Sequence, residues 1–161
     1  MNVCIFVLDR VLLISLIENL IMISKRKILV VDDNAGNRLL LQYNLEGHFD
    51  IDFAGNGLSA IDKFTQNKYD LILMDIHMPE MDGVETAIRI RQIENGKWRT
   101  PIFAITSNAY NEQRARCFDA GMDDYIVKPI HAKALVEHIN LFLNSASFIN
   151  NSMDFFISFL S

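Results

Sequence analysis

From Lys27 onward the chain alternates between two periods of apolar residues. Short runs rich in aliphatic and β-branched residues, "KILVV" (27–31), "FDIDFA" (49–54), "DLILM" (70–74), "PIFAIT" (101–106) and "DYIVK" (124–128), are bounded by polar residues or glycine. Each predicts a strand. Between them apolar residues recur at helical spacing: Leu41 and Leu45; Leu58, Ile61 and Phe64; Val84, Ala87 and Ile88; Ala115 and Phe118; Leu135, Ile139 and Phe142. Steps of three and four gather each set on one helix face. Gly121 stands where the fourth helix should end, as a left-handed residue just past its C-terminus would.

Strands alternating with helices call for right-handed crossovers and a parallel sheet covered on both faces. "ILVV" and "LILM" agree, being apolar throughout instead of alternating. The fold class is therefore α/β, doubly wound, and in such sheets ligands gather beyond the carboxyl ends of the strands.

Composition narrows the choice. With 161 residues, half of them hydrophobic, the chain can bury one domain core. We place that domain at 27–143, between an apolar N-terminal extension (1–26) and a C-terminal tail (144–161). A net charge of −5 offers no basic stripe, so direct nucleic-acid binding is not expected and proteins or small ions are the expected partners. Cys4 and Cys117 form neither a disulfide framework nor a metal knuckle. They read as reduced thiols of a cytoplasmic protein.

The extension "MNVCIFVLDRVLLISLIENLIMIS" is interrupted by Asp9, Arg10 and Glu18, so no stretch reaches the length of about 20 apolar residues that a membrane span needs. It also lacks the basic lead and small-residue cleavage site of an export signal. Met22 reads as a second start, and residues 1–21 are expected to be dispensable or mis-assigned sequence. After 143, "NSASFINNSMDFFISFLS" leaves no room for an output domain. Output is expected through protein contact.

The predicted strand ends carry Asp32 and Asp33, then Asp75, Thr106 and Lys128. Singly these are ordinary: an Asp caps helices, a Thr bonds local backbone, a Lys is a solvated charge. Together they make a chemical set. Three ionised carboxylates in one cleft repel by about 4 kcal/mol per pair at 4 Å and an effective dielectric near 20. A small, oxygen-loving cation such as Mg²⁺ would relieve that, with Lys128 as a second positive charge. Such a site suits phosphoryl transfer to an Asp carboxylate. Met78-Pro79 blocks helix propagation after Asp75, and Gly83 is expected to relax the chain before the third helix. His48, His77, His131 and His138 show no ligand spacing and read as surface or packing residues.

The motifs "ILVVDDN", "LILMDIHMPEMDG", "IFAITSNA" and "DDYIVKPI" resemble the successive signatures of response-regulator receiver domains of two-component and phosphorelay systems, most of all those of hybrid histidine kinases. The resemblance covers residues 27 to about 143. It implies a flavodoxin-like (βα)5 fold with strand order 2-1-3-4-5. It also implies that Asp75 is the phosphoacceptor, that Asp33, Asp75 and the backbone carbonyl of His77 ligate Mg²⁺ (or Mn²⁺), and that Asp32 acts through bound water. Lys128 would pair with phosphoryl oxygens, Thr106 would swing onto one of them, and Tyr125 would rotate inward. The Lys128-Pro129 bond would be cis, and His77 and Asn108 would flank the phosphoryl group. Ser107 stands where many relatives have a small Ala, which would either crowd the phosphodonor's path or add a hydroxyl there.

Implied partners are a histidine kinase or histidine phosphotransfer protein and a downstream protein target, contacted through the fourth helix, fifth strand and fifth helix. The chain would not be an enzyme, beyond assisting its own phosphorylation and dephosphorylation. Two alternatives stand beside this reading. One is a detached receiver fragment of a hybrid histidine kinase. The other is a phosphohydrolase of the haloacid dehalogenase type, which wants an Asp two residues after the nucleophile, where this chain has His77.

Overall fold

A computed structural model describes residues 25–107 and 110–145. The expectations for residues 1–21, the tail beyond 145 and Asn108 lie outside the described residues.

Five strands, β1 (Lys27–Val31), β2 (Asp50–Ala54), β3 (Leu71–Asp75), β4 (Ile102–Thr106) and β5 (Asp124–Val127), form one parallel sheet in the order β2-β1-β3-β4-β5. Helices α1 (Ala35–Leu45), α2 (Gly57–Gln66), α3 (Gly83–Glu94) and α4 (Asn111–Asp119) connect them, and α5 (132–145) follows β5. This is the expected doubly wound, flavodoxin-like architecture.

Successive side chains of a strand point to opposite faces, so each central strand feeds two cores. Leu29, Val31, Ile72, Met74, Ile102 and Ala104 pack with residues of α2, α3 and α4. Ile28, Val30, Leu71, Leu73, Phe103 and Ile105 pack with residues of α1 and α5. Burial on both sides explains why β3 and β4 carry no exposed residue. Among the described residues, no helix is long and apolar enough to cross a membrane.

One expectation needs adjustment at the strand ends. Asp75 is the last residue of β3, not the first beyond it, because it still pairs across the sheet with Ile105, just as Thr106, the expected end of β4, pairs with Val127. The ladder thus holds the backbone of both residues.

Several predicted helix faces are rotated from their expected positions. Leu58 is 53% exposed and Ile88 41%, while α2 buries Gly57, Ala60 and Phe64, and α3 buries Val84, Ala87 and Ile90. The close crossing of α2 over the α3 entry decides this. A Cβ on Gly57 would overlap Thr86 Oγ1 and stand 2.9 Å from Met81 Sδ, so this glycine must face inward, which turns Leu58 out. In α4 only Cys117 is buried; Ala115 is exposed, and Phe118 lies beneath the Arg114 guanidinium at 5.5 Å. Gly121 follows α4 with φ +85°, as its position predicted.

Candidate functional site

The chain leaves β1 through Asp32 and Asp33, and Asn34 then caps α1 by accepting the N–H groups of Gly36 and Asn37. The cap turns the first helical turn back over the strand end. Asp32 is buried, and its carboxylate bonds to this turn and to Lys128. Its Oδ1 accepts from the Asn34 N–H at 2.9 Å and Asn37 Nδ2 at 3.1 Å. Its Oδ2 accepts from Asn37 Nδ2 at 3.0 Å and Lys128 Nζ at 3.3 Å. Asp33 is exposed beside it. Arg38 donates to the carbonyl oxygens of both acids, at 2.7 and 3.0 Å.

Asp75 closes β3 at 6% exposure. Its Oδ2 accepts from Lys128 Nζ at 3.0 Å, and its Oδ1 receives the His77 N–H at 3.4 Å. The His77 side chain is exposed, so this residue meets the site through its main chain. Pro79 sits in the turn that follows, where Glu80 takes φ +66° and the Met81 N–H returns to the Pro79 carbonyl at 2.8 Å. Asp82 then caps α3 through the Glu85 N–H at 2.7 Å.

Gly83 has a different role from the one expected. It is the first residue of α3, and its φ is not in the left-handed region. A Cβ there would overlap the Asp75 carbonyl oxygen and stand 2.9 Å from Ile76 Cα. The glycine permits close approach of helix to strand end; it does not loosen the chain.

Lys128 reaches the cleft from the end of β5, held by its own N–H on the Thr106 carbonyl at 2.8 Å, and the Lys128-Pro129 bond is cis. Thr106 is fully buried and Tyr125 is half-buried against the core; burial raises the Tyr125 phenol above its ordinary range, and the neighbouring Thr106 side chain works against that. Ser107 is exposed.

Electrostatics follow from this packing. Burial pushes the Asp75 carboxyl above its ordinary range and the nearby Asp32 charge adds to that, while the Lys128 hydrogen bond and charge and the His77 N–H pull the other way. For Lys128 burial disfavours the ammonium, yet the bond to Asp75 and the charges of Asp75 and Asp32 outweigh it and raise its pKa. The lysine is thus firmly charged. One ammonium faces three acids, for oxygens of Asp32, Asp33 and Asp75 lie within 4.8 Å of one another. All-oxygen donors with excess negative charge fit a hard divalent cation.

Of the strand-end residues singled out in the sequence, Asp32, Asp33, Asp75 and Lys128 converge here, and Thr106 meets them through its carbonyl, which accepts the Lys128 N–H. Sequence reasoning overlooked Asn37 and Arg38. Their signal was present in "DDNAGNR": a capping Asn34 starts a helix whose first turn must face back toward the acids. It also overlooked the outer face of α1, where Leu39, Leu40 and Tyr43 are 67%, 55% and 82% exposed.

Residues 28–140 match the family described as the response regulator receiver domain. The chain is 43% identical over 125 residues to the transcriptional regulatory protein ResD of Bacillus subtilis, covering 77% of this chain and 50% of that protein. It is 40% identical over 122 residues to hybrid signal transduction histidine kinase I of Dictyostelium discoideum, covering 71% of this chain and 7% of that one. The chain thus spans half or less of these curated relatives. Among solved structures it resembles the receiver domain of a sensor histidine kinase from Pseudomonas aeruginosa with a magnesium ion coordinated in its active-site cleft. That likeness has TM-score 0.69 and 33% identity over 75% of this chain and 99% of that one.

Proposed function

The chain belongs to the response regulator receiver domain family of two-component systems, and from that premise we propose that Asp75 is its phosphoacceptor, charged by a phosphohistidine on a histidine kinase or histidine phosphotransfer protein. The observation that carries this reading is the Lys128 ammonium, set between Asp75 at 3.0 Å and Asp32 at 3.3 Å at the carboxyl end of the sheet. It fixes positive charge where a phosphoryl group on Asp75 would place its oxygens.

In the proposed step an Asp75 carboxylate oxygen bonds to phosphorus as the P–N bond of the donor breaks, and the electron pair leaves on the imidazole nitrogen. Lys128 transfers its contact from the carboxylate to a phosphoryl oxygen. Asp33, Asp75 and the His77 carbonyl would hold Mg²⁺, or Mn²⁺ in its place, with Asp32 receiving a bound water. When bound, the cation stabilises negative charge on the phosphoryl oxygens. The absence of an acid at position 77 speaks against a phosphohydrolase of the haloacid dehalogenase type.

Output follows from the nearness of Tyr125 to Thr106. A new anion at Asp75 attracts the Thr106 hydroxyl, and Tyr125 rotates inward as space opens, which alters the face formed by α4, β5 and α5. A downstream protein reads that face. The donor approaches over α1, whose outward Leu39, Leu40 and Tyr43 are the apolar surface nearest the acids in sequence. On this reading the protein is a cytoplasmic phosphoacceptor and not an enzyme acting on a separate substrate.

The test is intact mass after incubation with Mg²⁺ and acetyl phosphate. One phosphoryl gain that vanishes in Asp75→Asn supports the assignment; no gain, or a gain that survives the substitution, overturns it.

A further inference from the structure

We propose that Asn37 is a positioning residue: its amide holds the Asp32 carboxylate in an outer role, which leaves the Lys128 ammonium on Asp75. This rests on the reading of the three acids as a divalent-cation site.

The Asn37 Nδ2 lies 3.1 and 3.0 Å from the two Asp32 oxygens, so one amide spans the whole carboxylate and fixes its plane. With the Asn34 N–H on Oδ1 and Lys128 on Oδ2, both oxygens of this buried group already have protein donors. Asp33 is exposed and, among the described residues, the Asp75 carboxylate has protein donors only in Lys128 and the His77 N–H. The acids are therefore unequal: Asp33 and Asp75 have open coordination capacity, whereas Asp32 is suited to receive a water.

Lys128 is shared between two acids, nearer Asp75 than Asp32. A carboxylate buried to 1% exposure and stripped of its amide would seek another donor, and the ammonium at 3.3 Å is the one at hand. Asn37 thus balances the lysine between its partners. Local helix formation does not explain the residue, because Asn is a poorer helix former than Ala and a carboxamide in α1 gains only through what it bonds. Arg38 reinforces the arrangement by fixing the main chain of both acids.

Calorimetric titration of the full chain with Mg²⁺ alone tests the proposal. Loss of an outer partner of a metal site typically weakens binding by 10-fold or more, so Asn37→Ala is expected to bind about tenfold more weakly than the parent. In the Asp32→Asn background the same change is expected to alter affinity by less than about twofold, since the group it positions is gone. Should Asn37→Ala fail to fold, Asn37→Ser, whose hydroxyl is too short to span both oxygens, takes its place. A parent that binds while Asn37→Ala binds equally well overturns this inference and leaves the phosphoacceptor reading intact. Equal losses in both backgrounds overturn it too, because Asn37 would then act independently of Asp32. So does an Asp32→Asn variant that binds no Mg²⁺ at all, which would make Asp32 a direct ligand. A parent that binds no Mg²⁺ overturns the cation-site reading and the inference with it.

Discussion

Gly83 begins α3 so close to Asp75 that a Cβ would overlap the Asp75 carbonyl oxygen. The atoms it would meet are backbone, which cannot swing aside as a side chain would. Gly83→Ala is therefore expected to destabilise the fold by about 2 kcal/mol despite the better helix propensity of alanine. Urea unfolding checks this: the midpoint should fall with an unchanged slope. An alanine variant as stable as the parent would mean that the helix start can shift freely.

Among the described residues Lys128 is the one cation bonded to Asp75, and through it two buried acids share a charge partner. Lys128→Met is expected to cost about 3 kcal/mol at pH 7 in the presence of a chelator, as for any buried ion pair stripped of one member. Added Mg²⁺ should restore part of that loss. Acetyl phosphate should still label Asp75, but Tyr125 should no longer respond, as read from hydrogen exchange in β5. An unchanged unfolding midpoint with chelator present would show that the ammonium does not hold the acids.

Away from the site, the Tyr69 hydroxyl donates to Asp52 Oδ2 at 2.7 Å, beside Lys27 Nζ at 3.1 Å. Burial alone would raise the Asp52 pKa, but the bonds from Tyr69 and Lys27 and the charge of Lys27 bring it below the ordinary value of 3.8. A depressed carboxyl stabilises the fold above its unfolded pKa and loses that contribution as pH falls through the folded one. Tyr69→Phe is expected to cost about 1 kcal/mol at pH 7, the carboxylate being partly exposed. Denaturant titrations should show the gap between parent and variant narrowing below pH 3.8. A gap independent of pH would assign the loss to packing alone.

On the proposed reading, substitutions on the outer face of α1 should separate partner docking from phosphoacceptor chemistry. Tyr43 is 82% exposed, so Tyr43→Ala should leave stability within about 0.5 kcal/mol of the parent. Combined with Leu40→Ala it is expected to slow transfer from a phosphorylated histidine phosphotransfer protein by about tenfold, in line with loss of two exposed apolar contacts at an interface. Labelling by acetyl phosphate should be unchanged. Equal slowing with both donors would place the effect in the site and not at a docking surface.

Much of this was legible in the sequence because strand periodicity is local. "LILM" and "IFAI" must be covered on both sides wherever they lie, and a parallel sheet follows. Polar residues that interrupt such runs then fall at one end of the sheet, which is why Asp32, Asp33, Asp75, Thr106 and Lys128 could be grouped before any coordinates. Helix faces were less legible. Sets of two or three apolar residues leave the rotation of a helix open, and Gly57, which carries no hydrophobic signal, decided it for α2.

The sequence by itself determined the order of elements, the acidic ends and the lysine, since each depends on residue type at a strand boundary. Tertiary structure decided what those residues do to one another. Lys128 stands 53 positions from Asp75 and 96 from Asp32, and only the sheet order, which places β1, β3, β4 and β5 in succession, brings its ammonium between them. The amide of Asn37 on Asp32, the naked approach of Gly83 to Asp75 and the nearness of Thr106 to Tyr125 arise in the same way. Each depends on a distance of a few ångströms between separate elements, and periodicity along the chain carries no information on that scale.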